Sequence, residues 1–223
     1  MDWYPLYNSL RIAAISCFLV FFTGIFAAYY VARLPRWIKG VLDVVLTLPM
    51  VLPPTVVGYF ILLLFGVKRP LGMFLSQFGI KFVMTWYGGI LAASVVAFPL
   101  MYRNARAAFE QVDVNLIYVG QTLGMSDNRI FWKVVMPAAG PGIASGTVLA
   151  FARAIGEYGA TSMLAGNILG KTRTVSVAIA AETAAGNYGT AGFWVVVIVL
   201  ISFVIVALIN IVSGRGMKTR RWI

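Results

Sequence analysis

The sequence predicts an all-α integral membrane protein, a polytopic bundle of five membrane-spanning helices and possibly a sixth. Three observations carry this. Of the 223 residues, 61% belong to the set AVILMFWYC and 11% are charged, against roughly 25% charged in a typical soluble domain; mean hydropathy is +0.88. The apolar residues form continuous runs of about 20 or more, the length a helix rising 1.5 Å per residue needs to cross a bilayer. These runs do not alternate with the period of two that a membrane barrel requires. The absence of His and the single Cys exclude a zinc centre, a His-based triad and an intrachain disulfide. No catalytic or metal-ligating set is expected.

The first span is expected over residues 8–32. It is too long for a signal peptide, its leading MDWYPLYNS has no positive segment and no small-residue cleavage site follows, so it is read as a retained span. Cys17 within it is a small apolar residue. The second span, 40–65, holds Pro49, Pro53 and Pro54. Each proline removes a backbone N–H and breaks the helical ladder, and the freed carbonyls need protein or water as partners. A kinked helix beside a cavity meets that need, which makes Pro54, Thr55, Gly58 and Tyr59 candidates for a translocation path; a purely structural kink is the other reading. Asp43, near the inner end, is placed to pair with an arginine. The third span is expected over 86–108.

Between the third span and the fourth (138–162) lies a loop, VDVNLIYVGQTLGMSDNRIFWKVVMP, residues 112–137. It predicts two short helices broken at Gly124, a position for a left-handed residue. Asp113 or Asn115 would cap the first and Ser126 the second. Phe131 and Trp132 offer aromatic surface, and Pro137 marks the start of the next span. The bland reading is an interfacial hairpin resting on headgroups.

In the fourth span Arg153 and Glu157 stand four residues apart, on one helix face. Arg153 lies about 24 Å along the axis from Pro137, in the outer part of the bilayer. Charges there are costly and face protein or a water-filled path, so the pair is either a salt bridge joining helices or a brace of an outer gate. Tyr158, Gly159, Thr161 and Ser162 follow; small residues permit close approach, and the hydroxyls of Thr161 and Ser162 can donate to an anion in transit. Residues 165–172, AGNILGKT, fit a loose phosphate-loop pattern but lack the strand before and the cytosolic setting that such a loop needs. Residues 171–182 are too short to span, and predict a re-entrant or surface helix. The fifth span is expected over 190–212, followed by a basic tail, 213–223.

Lys and Arg set the direction. Arg33, Arg36, Lys39, Arg103, Arg106, Arg129, Lys133, Arg215, Lys218, Arg220 and Arg221 fall on one side, and Lys68, Arg69, Lys81, Lys171 and Arg173 on the other. The richer side is cytoplasmic, which puts the N-terminus outside the cell and the C-terminus inside. The net charge of +11 follows from this asymmetry, and no nucleic-acid partner is expected.

The loop's spacing carries a resemblance. Gly124, nine residues, Val134, one residue, Met136 and Pro137 resemble the signature of ABC-importer permeases: E-A-A, three residues, Gly, nine residues, Ile, one residue, Leu-Pro. The E-A-A positions are Tyr118, Val119 and Gly120 and depart from it. The stretches VLPPTVVGYFILLL (51–64), FPLMYRNARAAFE (98–110) and FARAIGEYGATSMLAGNILGKTRT (151–174) look like the molybdate branch, and the resemblance runs from about residue 9 to residue 212. It implies a type I importer permease fold over 8–212, in which the loop docks on an ATPase through residues among Leu116, Gly120, Leu123, Gly124, Ser126, Phe131, Trp132 and Pro137.

It also implies a homodimer, two cytoplasmic ATPase subunits that hold the ATP and magnesium, an extracytoplasmic molybdate- or tungstate-binding protein, and no cofactor on this chain. A sulfate or thiosulfate permease shares the Gly-Glu-x-Gly-Ala core and diverges after Gly-Asn-Ile. An ATP-independent channel or secondary oxyanion carrier leaves the Gly-centred loop without a purpose, and a membrane enzyme lacks the residues for chemistry.

Overall fold

The computed structural model describes residues 2–216, with side chains described for 2–207; residues 217–223 of the expected basic tail, and all its side chains, lie outside the described residues. Among the described residues every regular element is helical, as lipid demands of a chain that must satisfy its own backbone. The order is α1 (Tyr4–Ala32), α2 (Arg36–Val51), α3 (Pro54–Phe65), α4 (Pro70–Gln77), α5 (Trp86–Glu110), α6 (Val114–Thr122), α7 (Asp127–Ile130), a π-helical turn (Phe131–Val135), α8 (Met136–Ile155), α9 (Gly159–Leu164), α10 (Val175–Ala184) and α11 (Tyr188–Gly216).

α5 is the axis of the molecule. Ala92, Ala93, Ala97, Met101, Tyr102 and Ala105 are fully buried on it, with α1 and α8 packed alongside. Small residues set these distances, because lipid offers no hydrophobic drive between helices and close van der Waals approach must supply it. A Cβ on Gly24 of α1 would lie 2.8 Å from Met101 Cγ, and one on Gly146 of α8 would lie 2.7 Å from Asn104 Cβ.

Among the described residues, three helical runs are long and apolar enough to cross a membrane: Tyr4–Ala32, Asp127–Ile155 and Tyr188–Ala207; a fourth is counted if the bent pair α2–α3 is one span. Of the five expected spans, 86–108 appears as α5, whose 25 residues suffice in length. Its Trp86, Tyr87, Gly88, Gly89 and Pro99 make it less apolar, in keeping with a helix that faces protein rather than lipid.

Two expected spans are corrected. Residues 40–65 are not one kinked helix: α2 and α3 meet at 111°. Leu52 precedes a proline and is extended, at ψ 143°, as Pro Cδ forces on its predecessor. Pro53 and Pro54 then open α3 where no N–H partner is needed. The span expected over 138–162 ends at Ile155, and the chain turns at Gly156–Tyr158 before α9. Its other end is extended instead, since the π turn joins α7 to α8 without a break. The helix expected within 171–182 is α10, ten residues long and packed on α11.

Candidate functional site

The loop between α5 and α8 is built from local capping. The Asp113 carboxylate accepts the Asn115 N–H at 2.9 Å and starts α6. At its end Gly124 takes φ +71°, and two bonds close the helix: Met125 N–H to Gly120 C=O at 3.0 Å and Gly124 N–H to Gln121 C=O at 2.9 Å. This is the paired Schellman closure, which needs a left-handed residue at the position of Gly124. Gly120 is buried, and a Cβ there would stand 3.0 Å from Ile130 Cγ1, so its smallness lets α6 fold down on α7.

Ser126 has the extended backbone of an N-cap, but its side chain makes no cap bond, contrary to expectation; Asp127 in the first turn supplies the negative charge instead. Phe131 is not free aromatic surface. It packs 4.3 Å from Tyr29 and 6.2 Å from Phe109, ring centre to ring centre, and pins the loop to α1 and α5. Trp132 is 59% exposed, and Leu116 and Leu123 are also exposed, as are Tyr118 and Val119, which sequence reasoning passed over because they fell on the mismatched triplet. Pro137 lies in the first turn of α8.

Above the loop, charged groups tie α2 to α5. Asp43 pairs with Arg106, Lys39 with Glu110, and Arg106 Nε donates to Glu110 Oε1 at 3.1 Å. Tyr102 donates its hydroxyl proton to Asp43. The hydrogen bond from Lys39 and then the Arg106 guanidinium hold the Glu110 carboxyl below its ordinary range, against the opposing effect of partial burial. Thr47, Arg103, Asp43 and Arg106 line a cavity of about 390 Å³ beside this cluster.

The path candidates gather where α3 crosses α9. A Cβ on Gly58 would lie 2.9 Å from Ala160 Cα, and one on Gly159 would lie 2.9 Å from Pro54 Cβ, so Pro54, Gly58 and Gly159 form the contact itself. Thr55, Tyr59 and Tyr158 are exposed around it. Glu157 is 3% exposed and acts twice: one carboxylate oxygen lies 2.7 Å from Arg153 Nη1, and the other accepts the Ala160 N–H at 2.8 Å. The pair thus bridges the break between α8 and α9. Thr161 and Ser162 do not present free hydroxyls, because the break turns Thr161 inward, 1% exposed, and Ser162 donates to Gly159 C=O at 3.0 Å.

A polar cluster that sequence reasoning missed holds the opposite end. Tyr4 hydroxyl donates to Lys171 C=O at 2.6 Å, Asn8 Nδ2 to Thr172 C=O at 2.9 Å, and Val175 N–H to Ser9 Oγ at 2.9 Å. The available signal was a pair of polar residues, Asn8 and Ser9, opening an apolar run. The phosphate-loop lookalike sits between α9 and α10, so no strand precedes it.

The family of binding-protein-dependent transport system inner membrane components matches residues 21–215. The molybdenum transport system permease protein ModB of Escherichia coli (strain K12) is 42% identical over 202 residues, covering 89% of this chain and 88% of that protein. The putative molybdenum transport system permease protein YvgM of Bacillus subtilis (strain 168) is 37% identical over 207 residues, covering 92% and 91%. Among solved structures, an inward-facing MetNI methionine ABC transporter superposes with a TM-score of 0.72 at 15% identity, covering 96% of this chain and 95% of that one; at that identity the likeness speaks for the fold.

Proposed function

The chain belongs to the family of binding-protein-dependent transport system inner membrane components, and on that premise we propose that it is the permease subunit of an ATP-driven importer of molybdate or tungstate. The observation that carries this reading is the 42% identity to a molybdenum permease along nearly the full length of both chains. The capped, Gly124-centred loop supports it, since an exposed apolar surface on a short rigid hairpin suits docking to another subunit.

The chain works as a lever and conduit and performs no covalent chemistry. Two copies enclose the path at their two-fold axis. Leu116 and Leu123 meet the ATPase, Gly120, Gly124 and Ser126 shape the hairpin, and Phe131, Trp132 and Pro137 pass its movement to α1, α5 and α8. ATP and magnesium reside on the ATPase. Closure of the two ATPases draws the loops together and opens the outer end, where α3, α9 and the Arg153–Glu157 brace form the gate. A docked binding protein releases the oxyanion there, and hydrolysis restores the inward-facing state. Arg153, paired with Glu157, guides a dianion without trapping it. The N-terminus lies outside and the loop inside.

Element-specific mass spectrometry of cells lacking their own molybdate uptake tests this. With the chain, its ATPase and its binding protein present, molybdenum or tungsten accumulates, and omission of any one abolishes uptake. Accumulation with the chain alone would make it a channel or secondary carrier.

A further inference from the structure

A groove of about 640 Å³ runs between α1 and the π turn, and no step of the proposed transport cycle places a ligand in it. Its walls are Phe22, Phe26 and Tyr29 on one side and Phe131, Trp132 and Met136 on the other. Phe22, Phe26 and Trp132 are exposed, Phe26 at 65%, on a helix apolar enough to stand in lipid. From Phe22 to Arg33 the groove extends about 16 Å along α1, close to the half-thickness of a hydrocarbon core of about 30 Å. It is therefore as long as one acyl chain from headgroup to bilayer midplane.

The mouth carries both signs of charge. Arg33 closes α1 and lies 3.9 Å over the Tyr29 ring, and Asp127 opens α7 across the groove, with Asn128 beside it. Neither Arg33 nor Asp127 takes part in an ion pair among the described residues. A purely anionic headgroup would meet Arg33 and be opposed by Asp127. A zwitterion with a phosphate followed by a free ammonium satisfies both.

We propose that this groove binds one aminophospholipid of the inner leaflet, its phosphate on Arg33, its ammonium on Asp127 and an acyl chain between Phe26 and Trp132. The inference rests on the inward orientation of the loop proposed above. Such a lipid fills the space beneath the coupling hairpin and ties the hairpin's stance to the bilayer. A trimethylated headgroup cannot donate hydrogen bonds to a carboxylate and is discriminated against.

The test is native mass spectrometry of the chain with its ATPase, stripped in detergent and offered phosphatidylethanolamine, phosphatidylcholine or phosphatidylglycerol with matched acyl chains. Phosphatidylethanolamine is expected to bind about tenfold more tightly than phosphatidylcholine, as one charge-assisted hydrogen-bonding site gives. Asp127→Asn removes that preference, Arg33→Gln weakens all three lipids, and Phe26→Ala, at an exposed position that the fold does not need, lowers occupancy. Equal occupancy by the three lipids, or an undiminished preference in Asp127→Asn, overturns the proposal. Uptake measured in parallel separates the two readings: transport without lipid preference sinks only the groove, and lipid preference without ATP-driven uptake sinks only the importer.

Discussion

At the scale of single residues, three positions carry more than their place in the sequence suggests. Glu157 is buried, and it both pairs with Arg153 and caps α9. Arg153 keeps about a third of its side chain exposed, so solvent screens the pair and its removal costs less than that of a fully buried one. Glu157→Gln, which keeps an oxygen for the cap, is expected to lower stability by about 1–2 kcal/mol, and Glu157→Ala by about 1 kcal/mol more for the lost cap; thermal unfolding of the detergent-purified protein reads both. Gly124 is a different case, since a Cβ there meets nothing within 4 Å and only its φ of +71° excludes other residues. Gly124→Val is expected to cost about 1–2 kcal/mol and to lower ATP-driven uptake, while Gly124→Asn retains most of both; full ATP-driven uptake by Gly124→Val would remove the basis for the loop's assigned role. Glu110 sets a pH dependence. Its carboxyl titrates below the ordinary value of 4.5, so its contribution is fully present above that value and is lost as pH falls through the depressed one. Acid unfolding curves should therefore fall away below about pH 4.5, and the fall should shrink in Glu110→Gln.

At the scale of elements, the sequence marks where helices end far better than how they meet. Pro53 and Pro54 are legible as a break because proline lacks an N–H and constrains its predecessor. The 111° between α2 and α3 was not legible, because it is set by Gly58 and Gly159 pressing α3 against α9, two segments about a hundred residues apart. In the same way Arg153 and Glu157 were legible as a pair, yet a helix was expected to continue through them. Gly156 and Tyr158 give little local warning of a turn, and Glu157 stabilises it by bonding forward to Ala160. Phe131 looked like free aromatic surface because its partners, Tyr29 and Phe109, lie on other helices. The crossing gives a direct test. Gly58→Val places carbon against the Ala160 backbone and should destabilise by about 1–3 kcal/mol. Gly140→Ala in α8, where the added carbon meets nothing within 4 Å, should be neutral or stabilising by up to about 1 kcal/mol. Comparing the two by thermal unfolding separates close packing from helix propensity.

For the whole molecule, composition carried the class and the resemblance carried the branch, while charge placement sets the proposed direction. α5 could not be ranked as the central helix from sequence, because centrality is a property of neighbours: its Gly- and Tyr-bearing run looks less suited to lipid, and it needs less suitability. Orientation can be measured cleanly because Cys17, the sole cysteine, is buried. In a Cys17→Ser background, Leu123→Cys should react with a membrane-impermeant thiol reagent only in inverted vesicles, and Tyr188→Cys only in intact cells; the reverse pattern would invert the proposed topology.

The clasp of Tyr4, Asn8 and Ser9 on residues 171–175 also fixes an order of events during synthesis. Asn8 and Thr172 are separated by 164 residues, so at about 5–20 residues per second the ribosome delivers the partner on the order of ten to thirty seconds after the first turn of α1. Throughout that interval the Asn8 carboxamide holds only its local bond from Arg11 and its N–H groups and the Ser9 hydroxyl lack their distant partners, so the first helix to be made is among the last to be secured at its N-terminal end.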